Sequence, residues 1–140
     1  IIKPNGFIIK NAHIHNIDHR MALNKGFELI RIMDLFYKDI KKVDTLVGHN
    51  VMFDINVIKS ELFRMKRQDI IDEIDKKKII CTMSCAVKLK INGTFRPPSL
   101  KNLCKEYLNV DPSNLHNSKY DTYYTAVAYH KMVDQKIIKK

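Results

Sequence analysis

The sequence predicts a layered α/β domain in which short buried strands alternate with amphipathic helices. Two apolar runs, residues 45–48 and 79–81, are too short for helices and are rich in β-branched residues, as expected of buried strands. Each run leads directly into a segment whose apolar residues recur at helical spacing. This alternation favours parallel strands, because a helix supplies the crossover that a parallel connection needs.

The N-terminal part of the chain predicts a strand end, a turn and two helices. Residues 1–10 are typical of a strand end followed by a turn at Asn5-Gly6. Asp18 is a predicted N-cap of a short helix that ends near Gly26. Apolar residues at helical spacing predict a longer amphipathic helix over residues 28–42.

The middle of the chain predicts two strand-helix units separated by a polar stretch. The strand at 45–48 leads into a helix over residues 53–65, and the strand at 79–81 leads into a helix over residues 82–88. Residues 68–78 are dominated by charged and polar side chains, and we assign them to a solvated connecting segment.

The C-terminal part predicts two further helices between loops. Residues 92–98 contain Gly and two prolines and are predicted as a loop, after which Ser99 caps a helix that runs to about Leu108. Residues 109–114 form the next predicted loop, and a long final helix follows from Asn117 onward.

Length and composition favour one globular domain over residues 1–140, since a domain usually has about 100–200 residues. Apolar residues make up 45% of the chain and charged residues 29%, so we expect a buried core rather than a disordered chain. Every apolar run is shorter than the roughly 18–20 residues that cross a bilayer. We therefore expect a soluble protein without membrane association.

The cysteines and the charge bear on compartment and partner. Three cysteines, an odd number, favour a reduced intracellular protein, cytoplasmic or nuclear, over a secreted one. Lys3 and Pro4 interrupt the apolar run that a secretory signal would need. The net charge of +10 suggests a polyanionic partner such as nucleic acid. An AT-rich coding sequence, which encodes many Lys, Ile and Asn residues, explains the same charge equally well.

Two motifs place a carboxylate beside a predicted helix start. The first is His49-Asn50-x-x-Phe53-Asp54, directly after a strand, and the second is His116-Asn117 followed by Asp121. In open α/β sheets ligands bind outside the carboxyl ends of the strands, so Asp54 stands where an active site is expected. Asp121 would meet it from another part of the chain.

These motifs, together with further ordered segments, resemble the DnaQ-like DEDDh 3′–5′ exonucleases over essentially the whole chain. The segments that carry the resemblance are Ile14 to Asp18, Leu46 to Asp54, Cys81 to Met83, Pro98 to Leu103 and His116 to Asp121. The resemblance implies a ribonuclease-H-like mixed sheet with flanking helices. It also implies phosphodiester hydrolysis at a single-stranded DNA 3′ end, or an RNA end, with two Mg²⁺ or Mn²⁺ ions. A DNA polymerase is an expected partner.

The resemblance also implies a role for each motif residue. Asp54 and Asp121 match metal-binding carboxylates, and His116 matches the general base that takes a proton from the attacking water. Asn50 and Phe53 would line the substrate pocket, with Phe53 against the terminal base. His49 belongs to the same substrate-binding wall, and we interpret it as a structural residue that forms hydrogen bonds at the strand end.

The chain departs from the family at its first acidic motif, because Asp-x-Glu is absent from all 140 residues. The nearest match, residues 73–75, is in reverse order and assigned to a solvated face. We expect the strands that carry this motif to lie outside the chain, which leaves two of four carboxylates and predicts little nuclease activity and lower stability. A non-catalytic nucleic-acid-binding remnant and a partner-docking module are the alternatives. A zinc site of His13, His15 and His19 is the least favoured interpretation.

Overall fold

The computed structural model describes residues 1–10, 12–112, 115 and 117–139 of the chain. These residues are divided between two compact units. Unit 1 consists of Ile1–Asp44 and Lys59–Lys77, and unit 2 consists of Thr45–Ile58 and Lys78–Lys140.

Unit 1 begins with an extended segment and two short helices, α1 (Ala12–His15) and α2 (His19–Lys25). Asp18 is the N-cap of α2, where its Oδ1 accepts a hydrogen bond from the Met21 amide at 2.6 Å, and Gly26 is the C-cap. Both predicted ends of this helix are thereby confirmed. The sequence predicts a strand end in residues 1–10. Among the described residues, this segment pairs only through an isolated parallel bridge between Ile2 and Phe27 and forms no full strand.

Two amphipathic helices of unit 1, α3 (Leu29–Ile40) and α5 (Gln68–Asp75), pack against each other. The prediction of α3 is confirmed. The assignment of residues 68–78 to a solvated connection is wrong, because Ile70, Ile71 and Ile74 are buried on one face of α5. Their spacing is helical, and the many charged residues between them occupy the opposite face.

Helix α4 (Val51–Arg64) begins in unit 2 and ends in unit 1. It starts two residues before the predicted helix, directly after the turn His49-Asn50. Leu62, in the unit 1 part of the helix, is fully buried. Val51 and Ile55, in the unit 2 part, are also buried.

Unit 2 contains a parallel pair of strands, β1 (Thr45–Gly48) and β2 (Lys78–Cys81). Thr45 pairs with Lys78 and Gly48 with Cys81, so the two strands end side by side. The predicted α/β class with a parallel component is confirmed. This mixture of helices with a small parallel sheet is consistent with the ribonuclease-H-like fold implied by the resemblance.

The remaining helices of unit 2 are α6 (Thr82–Cys85), which continues as a 3₁₀ turn, α7 (Leu100–Leu103), which continues as a π-helical turn, and α8 (Ser118–Asp134). The Ser99 Oγ accepts a hydrogen bond from the Asn102 amide at 3.2 Å, which confirms the predicted cap. The core of this unit is formed by residues from β2, these helices, a 3₁₀ turn over Ile91–Gly93 and the C-terminal segment. The core residues are Ile80, Ala86, Ile91, Leu103, Ala128, Met132 and Ile138.

None of the helices in the described residues is long and apolar enough to cross a membrane.

Candidate functional site

The aligned ends of β1 and β2 bring together the residues that follow each strand. Gly48 and Cys81 are paired at the carboxyl end of the sheet, so the turn His49-Asn50 lies beside Thr82. This edge is the usual place for a ligand in an open α/β sheet. The first predicted motif therefore occupies the position that the sequence assigned to it.

His49 connects three separate segments at this edge. Its Nε2 lies 3.0 Å from the Pro98 carbonyl oxygen and its Nδ1 lies 3.1 Å from the Thr82 Oγ1. The buried Thr82 hydroxyl is also 3.2 Å from the Gly48 carbonyl oxygen. This confirms the interpretation of His49 as a residue that forms hydrogen bonds at the strand end.

The chemistry of these partners fixes the proton on His49. A carbonyl oxygen only accepts, so Nε2 carries a proton and donates to Pro98, while Nδ1 of the neutral ring and the Gly48 carbonyl oxygen share the single proton of the Thr82 hydroxyl. Burial lowers the pKa of His49, and the hydrogen bond to Pro98 offsets part of that effect. Both ring nitrogens are occupied, so His49 holds Pro98 at the strand end and has no ring nitrogen left for a ligand.

Asn50, Phe53 and Asp54 form the start of α4, immediately after the strand end. Asn50 has a positive φ of 65°, and its carbonyl accepts from the Phe53 amide at 2.9 Å. Asp54 lies exposed in the first helical turn, where the helix dipole favours a carboxylate. The Phe53 side chain is 65% exposed, which is unusual for a large aromatic group. Both side chains are therefore accessible to a ligand from solvent.

Asp121 lies in the first turn of α8 and is half-buried. The Asn117 cap holds this turn, since its side chain accepts from the Lys119 amide at 3.1 Å and its carbonyl accepts from the Asp121 amide at 3.0 Å. The pKa of Cys104 is raised, first by burial and then by the negative charge of Asp121. His116, the predicted general base, lies outside the described residues.

Asp54 and Asp121 are carried by helices that both adjoin β1. Helix α4 follows β1 after a two-residue turn, and α8 packs against β1 and α6. Carboxylate oxygens are the donors that Mg²⁺ and Mn²⁺ prefer. However, the described ranges contain no group of three or more His, Cys, Asp or Glu side chains that could hold a metal ion. Asp54 and Asp121 supply two carboxylates suited to these ions. The described residues do not form the set of four carboxylates that the family resemblance implies.

Cys81 is a feature of this edge that the sequence analysis missed, since the cysteine thiols were considered there only as evidence of compartment. Burial tends to raise its pKa, yet the Ser84 hydroxyl and the backbone amides of Ser84, Val51 and Asn50 favour the thiolate, and the net effect lowers the pKa. Its position at the end of a strand and directly before a helix is the signal that could have indicated this environment.

Comparison with known proteins identifies the family of this chain. The exonuclease family described as RNase_T matches residues 3–129. No curated protein and no solved structure shows a significant match to the chain. The match covers most of the sequence, so the chain belongs to this exonuclease family, whose members are nuclease-type hydrolases.

Proposed function

We propose that this protein removes nucleotides from single-stranded nucleic-acid 3′ ends as a 3′–5′ exonuclease that depends on Mg²⁺ or Mn²⁺. The family match supports the proposal, and one feature of the fold indicates which residues would act. Asp54 and Asp121 lie in the first turns of two helices that adjoin the same strand. Carboxylates so placed are suited to a cationic ligand at the end of a sheet.

Within this proposal each residue has a separate task. Asp54 and Asp121 would hold the divalent ions, which neutralise the charge of the phosphate when they are bound. His116 would accept the proton of the attacking water, since an imidazole titrates close to neutral pH. The exposed ring of Phe53 would pack against the terminal base.

We propose further that turnover by this chain is low. The sequence contains no Asp-x-Glu motif, and the described residues supply no third ligand beside the two carboxylates. The same observation favours a second candidate function, a domain that binds nucleic acid without hydrolysing it. Location inside the cell and association with a polymerase are parts of the same proposal, supported by the free cysteines and the family membership.

The decisive experiment is digestion of a 5′-labelled single-stranded oligonucleotide by the purified chain with Mn²⁺ or Mg²⁺. We expect slow shortening from the 3′ end that chelation by EDTA abolishes. Asp54→Asn and Asp121→Asn should each abolish it, and His116→Ala should slow it by about 10²–10⁴-fold. Asp44→Asn, which changes an exposed carboxylate away from either motif, is the matched control and should digest at the wild-type rate.

Two results would decide against the proposal. Shortening that persists in Asp54→Asn and Asp121→Asn would assign the activity to other residues or to a contaminant. Oligonucleotide binding without any metal-dependent shortening would instead select the non-catalytic candidate.

A further inference from the structure

The second half of the chain contains a long segment without negative charge. Residues 78–105 include six Lys or Arg side chains and no Asp or Glu. The segment runs from β2 to the turn that follows α7, entirely within unit 2. A segment of this length with only positive charges is a candidate surface for a polyanion, provided that its cations are exposed and not already ion-paired with carboxylates.

Five of these cations meet that condition, and four of them lie in residues 88–101 together with an exposed aromatic ring. We define the basic loop surface as Lys88, Lys90, Phe95, Arg96 and Lys101, all of which are exposed. Phe95 is 67% exposed, and the Lys90 Nζ lies 4.6 Å from the centre of its ring. None of the four cations is ion-paired with a carboxylate of the described residues.

The loop that presents this surface has a defined backbone. Lys90, Asn92 and Gly93 have positive φ values of 51°, 55° and 66°, which turn the chain sharply. The Asn92 amide donates to the Glu106 carboxylate at 2.7 Å, so this carboxylate helps to fix the loop. Ile91 is buried in the core of unit 2 and anchors the start of the loop.

The end of the loop is anchored at the strand edge. Pro98 is buried, and its carbonyl oxygen accepts the hydrogen bond from the His49 Nε2 at 3.0 Å. His49 directly precedes the turn that begins α4, which carries Phe53 and Asp54. The loop that carries the basic loop surface is thus joined through one side chain to the candidate catalytic edge.

We propose that the basic loop surface binds single-stranded nucleic acid, with Lys88, Lys90, Arg96 and Lys101 on phosphates and Phe95 stacked on a base. The inference rests on the proposed function, since it proposes that this surface binds the part of the single-stranded nucleic acid that leads to the 3′ end. Cations interleaved with an exposed aromatic ring are the combination that single strands require. An acidic peptide offers the charge but no flat base to stack on Phe95, and a duplex keeps its bases stacked internally.

The stacking can be observed directly, because the chain contains no tryptophan. Phe95→Trp introduces one fluorophore at the centre of the surface. Titration of this variant with an unlabelled single-stranded oligonucleotide in EDTA, which prevents hydrolysis, should quench its emission in step with binding. Phe63→Trp, at a 74% exposed phenylalanine of α4 in unit 1, is the control and should keep its emission.

Affinity measurements separate stacking from charge. Phe95→Ala should weaken oligonucleotide binding by about 5- to 150-fold, the range measured for removal of one stacked base. The double variant Arg96→Gln/Lys101→Gln should reduce the slope of log affinity against log salt by about 0.7 for each phosphate that the protein no longer neutralises. Lys25→Gln/Lys38→Gln removes two exposed cations of unit 1 and should leave the slope unchanged.

The outcomes distinguish this inference from the proposed function. Wild-type affinity and salt slope in Phe95→Ala and in Arg96→Gln/Lys101→Gln, with the fold intact by circular dichroism, would overturn the inference even if the chain still shortens 3′ ends. Tighter binding of poly-glutamate than of the oligonucleotide would overturn it in favour of an acidic protein partner. Loss of binding in both loop variants, from a chain that shortens no 3′ end, would support the surface and reject the exonuclease proposal.

Discussion

The Nε2 atom of His49 lies 3.0 Å from the carbonyl oxygen of Pro98, a residue 49 positions further along the chain. This one hydrogen bond connects the turn after β1 to the end of the basic loop. The other ring nitrogen of His49, Nδ1, contacts Thr82, which is the first residue of α6 and directly follows the end of β2. A histidine of the first motif therefore organises the edge around Asp54 without contributing a ligand itself.

The half-buried position of His49 predicts a pH dependence of stability. Above the ordinary pKa of 6.5 the ring is neutral in both the folded and the unfolded chain. As the pH falls below 6.5 the unfolded chain binds a proton that the folded ring, with its lowered pKa, resists. The free energy of unfolding should therefore fall with pH, by at most about 1.4 kcal/mol per pH unit from this group, until the folded ring is protonated as well.

The measurement is urea unfolding of wild type and His49→Gln across this pH range. Glutamine retains a donor for Pro98 but does not titrate, so the difference between the two proteins isolates the histidine from the carboxylates. If both proteins lose stability in parallel below pH 6.5, the proton of His49 is not linked to folding.

Cys81 should be the most reactive of the three thiols. Its pKa is lowered by the surrounding donors, whereas burial raises the pKa of Cys85 and of Cys104, and Cys104 is fully buried. Alkylation by iodoacetamide at neutral pH, followed by peptide mass spectrometry, should label Cys81 first and Cys104 last. Ser84→Ala removes one donor and should slow the labelling of Cys81. Earlier labelling of Cys85 in the wild-type protein would contradict the assigned environment.

The features that could be predicted from sequence are those decided by neighbouring residues. Asp18, Ser99 and Asn117 each begin a helix where a capping side chain meets the first free amides, and that chemistry is local. Helix α5 was missed because charged residues dominate its composition, although its three isoleucines mark one buried face.

The features that escaped prediction depend on partners far along the chain. The expected strand at the N-terminus is reduced to the Ile2–Phe27 bridge, because pairing needs a neighbour that the local pattern does not specify. The contact of His49 with Pro98 and the donors around Cys81 likewise arise only when the strand ends align. The pairing of Asp54 with Asp121 at a shared metal stays a prediction.

Gly26 is required by close packing rather than by an unusual backbone. Its φ of −77° suits any residue, but a Cβ there would collide with the Ala22 carbonyl oxygen and come within 2.7 Å of the Lys3 amide nitrogen. Gly26→Ala should therefore destabilise the protein by about 1–3 kcal/mol or more, as overpacking against backbone usually does. Urea unfolding measures this loss.

Gly93→Ala is the matched comparison, because a Cβ at this position meets nothing within 4 Å. Alanine at this φ of +66° should lower the free energy of unfolding by about 1–2 kcal/mol, because a side chain disfavours the left-handed conformation. Relaxation of the N-terminal segment should be visible only in Gly26→Ala, as faster hydrogen exchange of the Lys3 and Phe27 amides that form the bridge. Unchanged exchange of those amides in Gly26→Ala would show that the collision is relieved elsewhere.

The core of unit 2 should depend strongly on Leu103, a fully buried residue of α7 that packs with Ile80, Ala128 and Met132. Leu103→Ala removes buried methyl groups and leaves a cavity, so we expect a loss of about 2–5 kcal/mol in the free energy of unfolding. Leu23→Ala makes the same chemical change at a 46% exposed position of α2 and should alter stability by less than about 0.5 kcal/mol. Since α7 is directly followed by Cys104, which is fully buried, the cavity should also speed alkylation of this otherwise protected thiol. Equal losses in the two variants would mean that α7 does not pack in the core as the structure has it.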